Sequence, residues 1–63
     1  MRKRLIEARK KNNLTQHEVA EKLRMLTTSY QNIEYGIRNT TIENWDTLED
    51  LLGVPQRKLR EDT

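Results

Sequence analysis

Few side chains in this sequence could do covalent chemistry, and they are not grouped. The one histidine, His17, stands beside Glu18, and the 63 residues contain no cysteine. A single histidine next to a carboxylate is not a nucleophile–base set, and it cannot supply the three or four convergent ligands of a zinc site. Gly36 and Gly53 are isolated, so no glycine-rich loop exists to cradle a phosphate. The expectation is a protein that is not an enzyme and holds no metal or cofactor. Charge is the chemistry that remains. Arg2, Lys3, Arg4, Arg9, Lys10 and Lys11 face only Glu7 in the first eleven residues, whereas Glu43, Asp46, Glu49 and Asp50 lie in a stretch with no basic residue. Net charge is only +2, so its distribution matters more than its sum. A basic end attracts phosphate, although a charge run alone is more often a solvated helix face.

The elements that must position these groups are short helices. No alternating strand pattern appears, so the chain reads as all-α. A first helix runs from about Arg2 to Lys11, with Leu5 and Ala8 on one face, and Asn12-Asn13 stops it. Thr15 and Glu18 form a capping box at the start of the second helix, and Leu14 and Val19 are placed as its hydrophobic staple. Val19, Ala20 and Leu23 line its inner face. Arg24-Met25-Leu26 is a turn. Thr27 or Thr28 caps a third helix that turns Tyr30 and Ile33 inward and ends at Gly36. Thr40 or Thr41 caps a fourth, where Ile42, Trp45, Leu48, Leu51 and Leu52 recur at helical spacing up to Gly53. Pro55 suits the first turn of a fifth helix, which carries Leu59 and ends in the polar tail Glu61-Asp62-Thr63. One domain spans 1–63. A domain of this size buries only about 60% of its unfolded surface, and neither disulfide nor metal staples it. No apolar run reaches the roughly 20 residues of a membrane span, and no apolar core follows the basic N-terminus to make a signal peptide. A cytoplasmic protein with no membrane association is expected.

Two short helices joined by a tight turn are the layout of a helix-turn-helix, here over about 15–35. Leu14-Thr15-Gln16-x-Glu18-Val19-Ala20-x-Lys22-Leu23, then Ile33-Glu34-x-Gly36-x-Arg38, then Leu52-Gly53-Val54, closely resembles the lambda-repressor-like helix-turn-helix family of Xre and Cro type. The resemblance extends from Leu5 to Leu59. It implies a compact five-helix DNA-binding domain whose second and third helices form the motif, with the third in the major groove. It also implies roles residue by residue. Gln16 binds a DNA phosphate from the start of the second helix, as an amide beside free N–H groups can. Thr27, Thr28, Gln31 and Asn32 face base edges, where Asn and Gln can pair with adenine and Thr can touch a thymine methyl. Arg38 and Tyr35 reach backbone phosphate, with Asn39 a weaker candidate, and Arg2, Lys3 and Arg4 add a general electrostatic footprint. Arg9 and Glu34 form a partly buried ion pair with a structural role.

The sequence departs from the family pattern in the turn. Arg24 stands where glycine is usual, and a side chain at positive φ there costs about 1 kcal/mol. Leu26 replaces the usual Ser or Thr cap, which moves the expected cap to Thr27 and the start of the third helix one residue on. Leu26 is either an exposed contact to a thymine methyl or part of the core. Ile37 replaces a polar or basic residue. Trp45 is expected in the core with its N–H at the rim. These features together predict a sequence-specific regulator of double-stranded DNA, a repressor of phage, plasmid or mobile-element type. It would bind as a homodimer, either preformed or assembled only on DNA, through a surface formed by Val54, Leu59 and Leu52. The rival reading is a protein-interaction module on the same fold, such as an antitoxin, with Leu26, Ile37 and the acidic fourth helix facing a protein partner.

Overall fold

A computed structural model describes residues 1–61; of the expected polar tail, Asp62 and Thr63 lie outside the described residues. Five helices follow in order: α1 (Lys3–Lys11), α2 (Gln16–Lys22), α3 (Thr27–Tyr35), α4 (Ile42–Leu52) and α5 (Gln56–Leu59), with no strand among the described residues. α2 packs on α3, α1 touches α3 and α5, and α4 packs against α5. One core joins them, built from Leu5 and Ala8, Val19, Ala20 and Leu23, Tyr30 and Ile33, Trp45, Leu48 and Leu52, and Leu59. None of the described helices is long and apolar enough to cross a membrane.

Local chemistry fixes most of the boundaries. Thr15 caps α2 through a complete capping box: its Oγ1 accepts from the Glu18 N–H at 3.1 Å, and its own N–H donates to Glu18 Oε1 at 2.9 Å. That backbone bond holds the Glu18 carboxyl below its ordinary range, helped by the Thr15 hydroxyl. Leu14 packs against the core that contains Val19, as a staple requires. At α4, Thr41 is the cap, accepting from the Asn44 N–H at 3.2 Å. Thr40 instead accepts from Asn44 Nδ2. Pro55 is the cap of α5 rather than its first residue, and the next N–H, of Gln56, donates to Glu49 Oε2 at 3.0 Å.

Three helices close in the same way. Asn13 (φ 58°), Arg24 (φ 57°) and Gly36 (φ 82°) each occupy the left-handed position after a helix. In each case the following N–H reaches back five residues, from Leu14 to the Arg9 carbonyl, Met25 to Ala20 and Ile37 to Asn32. This is the Schellman arrangement. Arg24 therefore keeps the geometry a glycine would give and carries the strain.

Four expectations are corrected. Leu26, not Thr27, is the N-cap of α3: it is extended at φ −68° and ψ 147°, its carbonyl accepts the Tyr30 N–H at 3.1 Å, and α3 starts without a one-residue delay. Ile42 lies on the stripe of Trp45 but is the first residue of α4, past the end of the core, and it is exposed. Leu52 and Leu59 are buried in their own core, so neither can form the expected dimer surface, and only Val54 of that set is part-exposed. Arg2 does not belong to an electrostatic footprint, because it is buried. Its Nη1 donates to the Ile33 and Arg38 carbonyls, at 2.6 and 2.7 Å, and its Nε donates to the Arg60 carbonyl at 3.2 Å. The guanidinium lies 5.5 Å from the Trp45 ring centroid, within cation–π range. Its backbone N–H donates to the Glu34 carbonyl at 2.7 Å. Arg2 thus ties the N-terminus to the C-terminal end of α3, where free helix carbonyls favour a cation.

Candidate nucleic-acid interface

At 100° per residue, six polar residues of α3 fall into two stripes with the same i, i+4, i+7 spacing, and Ser29 belongs to neither. Thr27, Gln31 and Glu34 face the seam with α2; Thr28, Asn32 and Tyr35 lie on the outer side, away from Tyr30 and Ile33 in the core. Every member of the seam stripe is bonded to another element. His17 Nδ1 lies 3.1 Å from Thr27 Oγ1, and its Nε2 is 3.5 Å from Glu21 one turn along α2. Gln31 Nε2 donates to Gln16 Oε1 at 2.9 Å, and Gln16 Nε2 donates to Glu34 Oε1 at 2.9 Å. Arg9 Nε donates to Glu34 Oε2 at 2.7 Å and a second guanidinium nitrogen reaches Oε1 at 3.5 Å. Arg9 Nη1 also donates to the Leu14 carbonyl at 2.9 Å, tying α1 to the entrance of α2.

This chain of bonds has a direction. A carboxylate only accepts, so Glu34 forces the NH2 of Gln16 toward itself. The Gln16 oxygen must then take its proton from Gln31, which leaves the Gln31 oxygen as its remaining acceptor. Glu34 is 1% exposed, and Arg9 with Gln16 satisfies it from both sides. The expected Arg9–Glu34 pair is therefore present, and it also sets how two of the expected contact residues are oriented. Beside it, the Tyr30 hydroxyl is buried and makes no hydrogen bond of acceptable geometry among the described residues. Burial first, and the neighbouring Glu34 carboxylate second, push the Tyr30 phenol far above its ordinary range.

The expected contact residues fall into distinct groups. Thr28, Tyr35 and Arg38 are exposed and Asn32 is half-buried, and their side chains make no bond among the described residues. Thr27, Gln31 and Gln16 are half-buried and engaged in the seam; Gln31 keeps its oxygen and one N–H for a further partner, and Gln16 keeps one N–H. Asn39 is committed elsewhere: its Oδ1 accepts from Trp45 Nε1 at 2.9 Å and from the Thr40 N–H at 2.8 Å. This is the rim partner that the buried Trp45 requires, and it leaves Asn39 only its NH2 to offer. Arg4 pairs with Glu61 at 3.3 Å, both exposed. The described residues contain no cluster of His, Cys, Asp or Glu suited to a metal ion. Sequence reasoning missed the roles of Arg2 and His17. Nothing in the sequence distinguishes Arg2 from the basic residues around it, while the ten-residue spacing of His17 and Thr27 carries meaning only once α2 lies on α3.

A capped helix locked to the next across a tight turn, with a polar outer face on the second, defines a helix-turn-helix of DNA-binding type. The helix-turn-helix family model matches residues 5–59, most of the chain, and the protein belongs to this lambda-repressor/Xre-like family of DNA-binding regulators. Searches of curated proteins and of solved structures give no match.

Proposed function

We propose that the chain is a single-domain, sequence-specific regulator of double-stranded DNA, of repressor type, working in the cytoplasm as a homodimer on its operator and catalysing no reaction. The two-stripe division of α3 carries this reading. One polar stripe is spent on fixing α3 against α2 and α1; the other, Thr28, Asn32 and Tyr35, is left free on a helix whose orientation is thereby set. Asn32 and Thr28 take the base edges. Gln16 offers its remaining N–H to a phosphate at the start of α2, while Arg38 and Tyr35 hold the backbone. Thr27 and Gln31 act mainly by holding the reader and reach DNA only through their unspent groups.

Selection of bound duplexes from a random pool tests this. The expected product is an inverted repeat with half-sites about one helical turn apart, bound with an affinity that falls steeply with salt. A pool that stays random after several rounds would sink the proposal. One observation favours a second reading: Ile37, in the loop between α3 and α4, and Ile42, the first residue of α4, are 71% and 68% exposed. Exposed aliphatics suit a protein contact, either a second copy or a different partner as in an antitoxin. Co-purification of a stoichiometric unlike protein, with Ile37→Ser releasing it, would favour the latter.

A further inference from the structure

We infer that Leu26 determines sequence preference by reading the 5-methyl group of thymine. This rests on α3 being the helix that enters the major groove. Leu26 is the N-cap of α3, in the extended conformation from which Ser, Thr, Asp or Asn would accept a free N–H of the first turn. Thr15 and Thr41 do so for α2 and α4; leucine cannot. It is also 73% exposed, more than any other large hydrophobic side chain among the described residues. Both features work against stability, and they fall two residues after Arg24, itself at φ 57°. Breaks in local rules concentrated in one turn point to a function for that turn.

The contact follows from chemistry. Leu26 is a single apolar tip adjoining a polar reading face, next in sequence to Thr27 and Thr28 at the end of α3 whose residues reach base edges. In the major groove the base edges carry donors, acceptors and one apolar group, the C5 methyl of thymine. A lone leucine has no hydrogen bond to offer the other three bases, and in water it gains only by covering that methyl.

The test uses the duplex enriched by the wild-type protein. Each thymine is replaced in turn by deoxyuridine, which pairs identically but lacks the methyl. One position in each half-site is expected to lose about fourfold in affinity, the value of roughly 0.8 kcal/mol for burying one methyl-sized group. In Leu26→Ser the ratio at that position should fall to about one. The same variant should melt about 4–8 °C higher, since it regains a cap of about 1 kcal/mol, so the lost preference does not come from unfolding. Leu26→Ala, scored by the same ratio, separates the missing apolar contact from any effect of the new hydroxyl. The inference is overturned if the wild type binds tightly yet no thymine is sensitive, or if both variants keep the wild-type ratio. Failure of the wild type to enrich any duplex would remove the DNA reading itself, and the inference with it.

Discussion

Removing Arg9 is the most informative single perturbation of this molecule. Its guanidinium is the sole cation bonded to Glu34 among the described residues, and that carboxylate is 1% exposed and 2.7 Å away. In Arg9→Met the stem volume is retained, Gln16 is the remaining partner of Glu34, and a nearly bare charge stays buried. Breaking a buried pair from one side costs about 3–5 kcal/mol. At about 0.05–0.15 kcal/mol per residue, 63 residues give a total stability of about 3–9 kcal/mol, so this one substitution should remove about a third or more of it and, toward the low end of that range, unfold the domain at room temperature. Removing both charges has a different outcome. Arg9→Met with Glu34→Leu leaves no stranded ion, and replacing a buried pair with apolar groups is often neutral or stabilising by about 1–4 kcal/mol. The double variant should therefore be more stable than either single one. It should still bind DNA poorly, because Gln16 and Gln31 lose the acceptor that orients them. Urea unfolding followed by the fluorescence of Trp45, the one tryptophan, measures the first part, and titration of the selected duplex measures the second. The reasoning fails if Arg9→Met costs under 1 kcal/mol, or if the double variant is as unstable as the sum of the singles. It also fails if the double variant binds its operator as wild type does, since the seam would then position nothing.

Other expectations are simpler to check. Asn32→Ala should relax choice at one base position at a cost of about 1–3 kcal/mol, whereas Arg38→Ala should weaken all sequences alike and lower the salt slope by about one; identical behaviour in a selection assay would erase the division between reader and clamp. Tyr30→Phe should be close to neutral at pH 7, because the hydroxyl it removes is buried with no hydrogen-bond partner among the described residues. Its folded phenol titrates above the ordinary value of 10.0, so the wild type keeps its full stability below about pH 10 and loses it as pH rises further, when the unfolded chain releases a proton that the folded one retains. Melting temperatures between pH 9 and 11 should show a shallower alkaline decline for Tyr30→Phe, and parallel curves would contradict this. Arg2→Lys should cost about 1.5–3 kcal/mol despite conserving charge, because a single ammonium cannot hold three divergent carbonyls; chemical denaturation with less than 0.5 kcal/mol of change would show that the clamp is unimportant.

The sequence determined what depends on neighbours a few residues apart. Thr15 and Glu18 specify the start of α2 because a capping box closes within four residues. Asn13 and Gly36 mark helix ends because left-handed backbone is a property of the residue itself, and Leu5, Trp45 and Leu48 show their burial through helical spacing. These signals sufficed for the family and the all-α fold. The tertiary structure decided which of several similar polar residues are free. Thr27 and Gln31 look in sequence like Thr28 and Asn32, and both sets repeat every third or fourth residue. Only the placement of α2 beside α3 gives one set partners and leaves the other for a ligand. Arg2 makes the same point more sharply. In sequence it is one cation in a basic run, yet its partners lie 31, 36 and 58 residues away, and a bond across that distance exists only after the chain has folded and brought three carbonyls to one place.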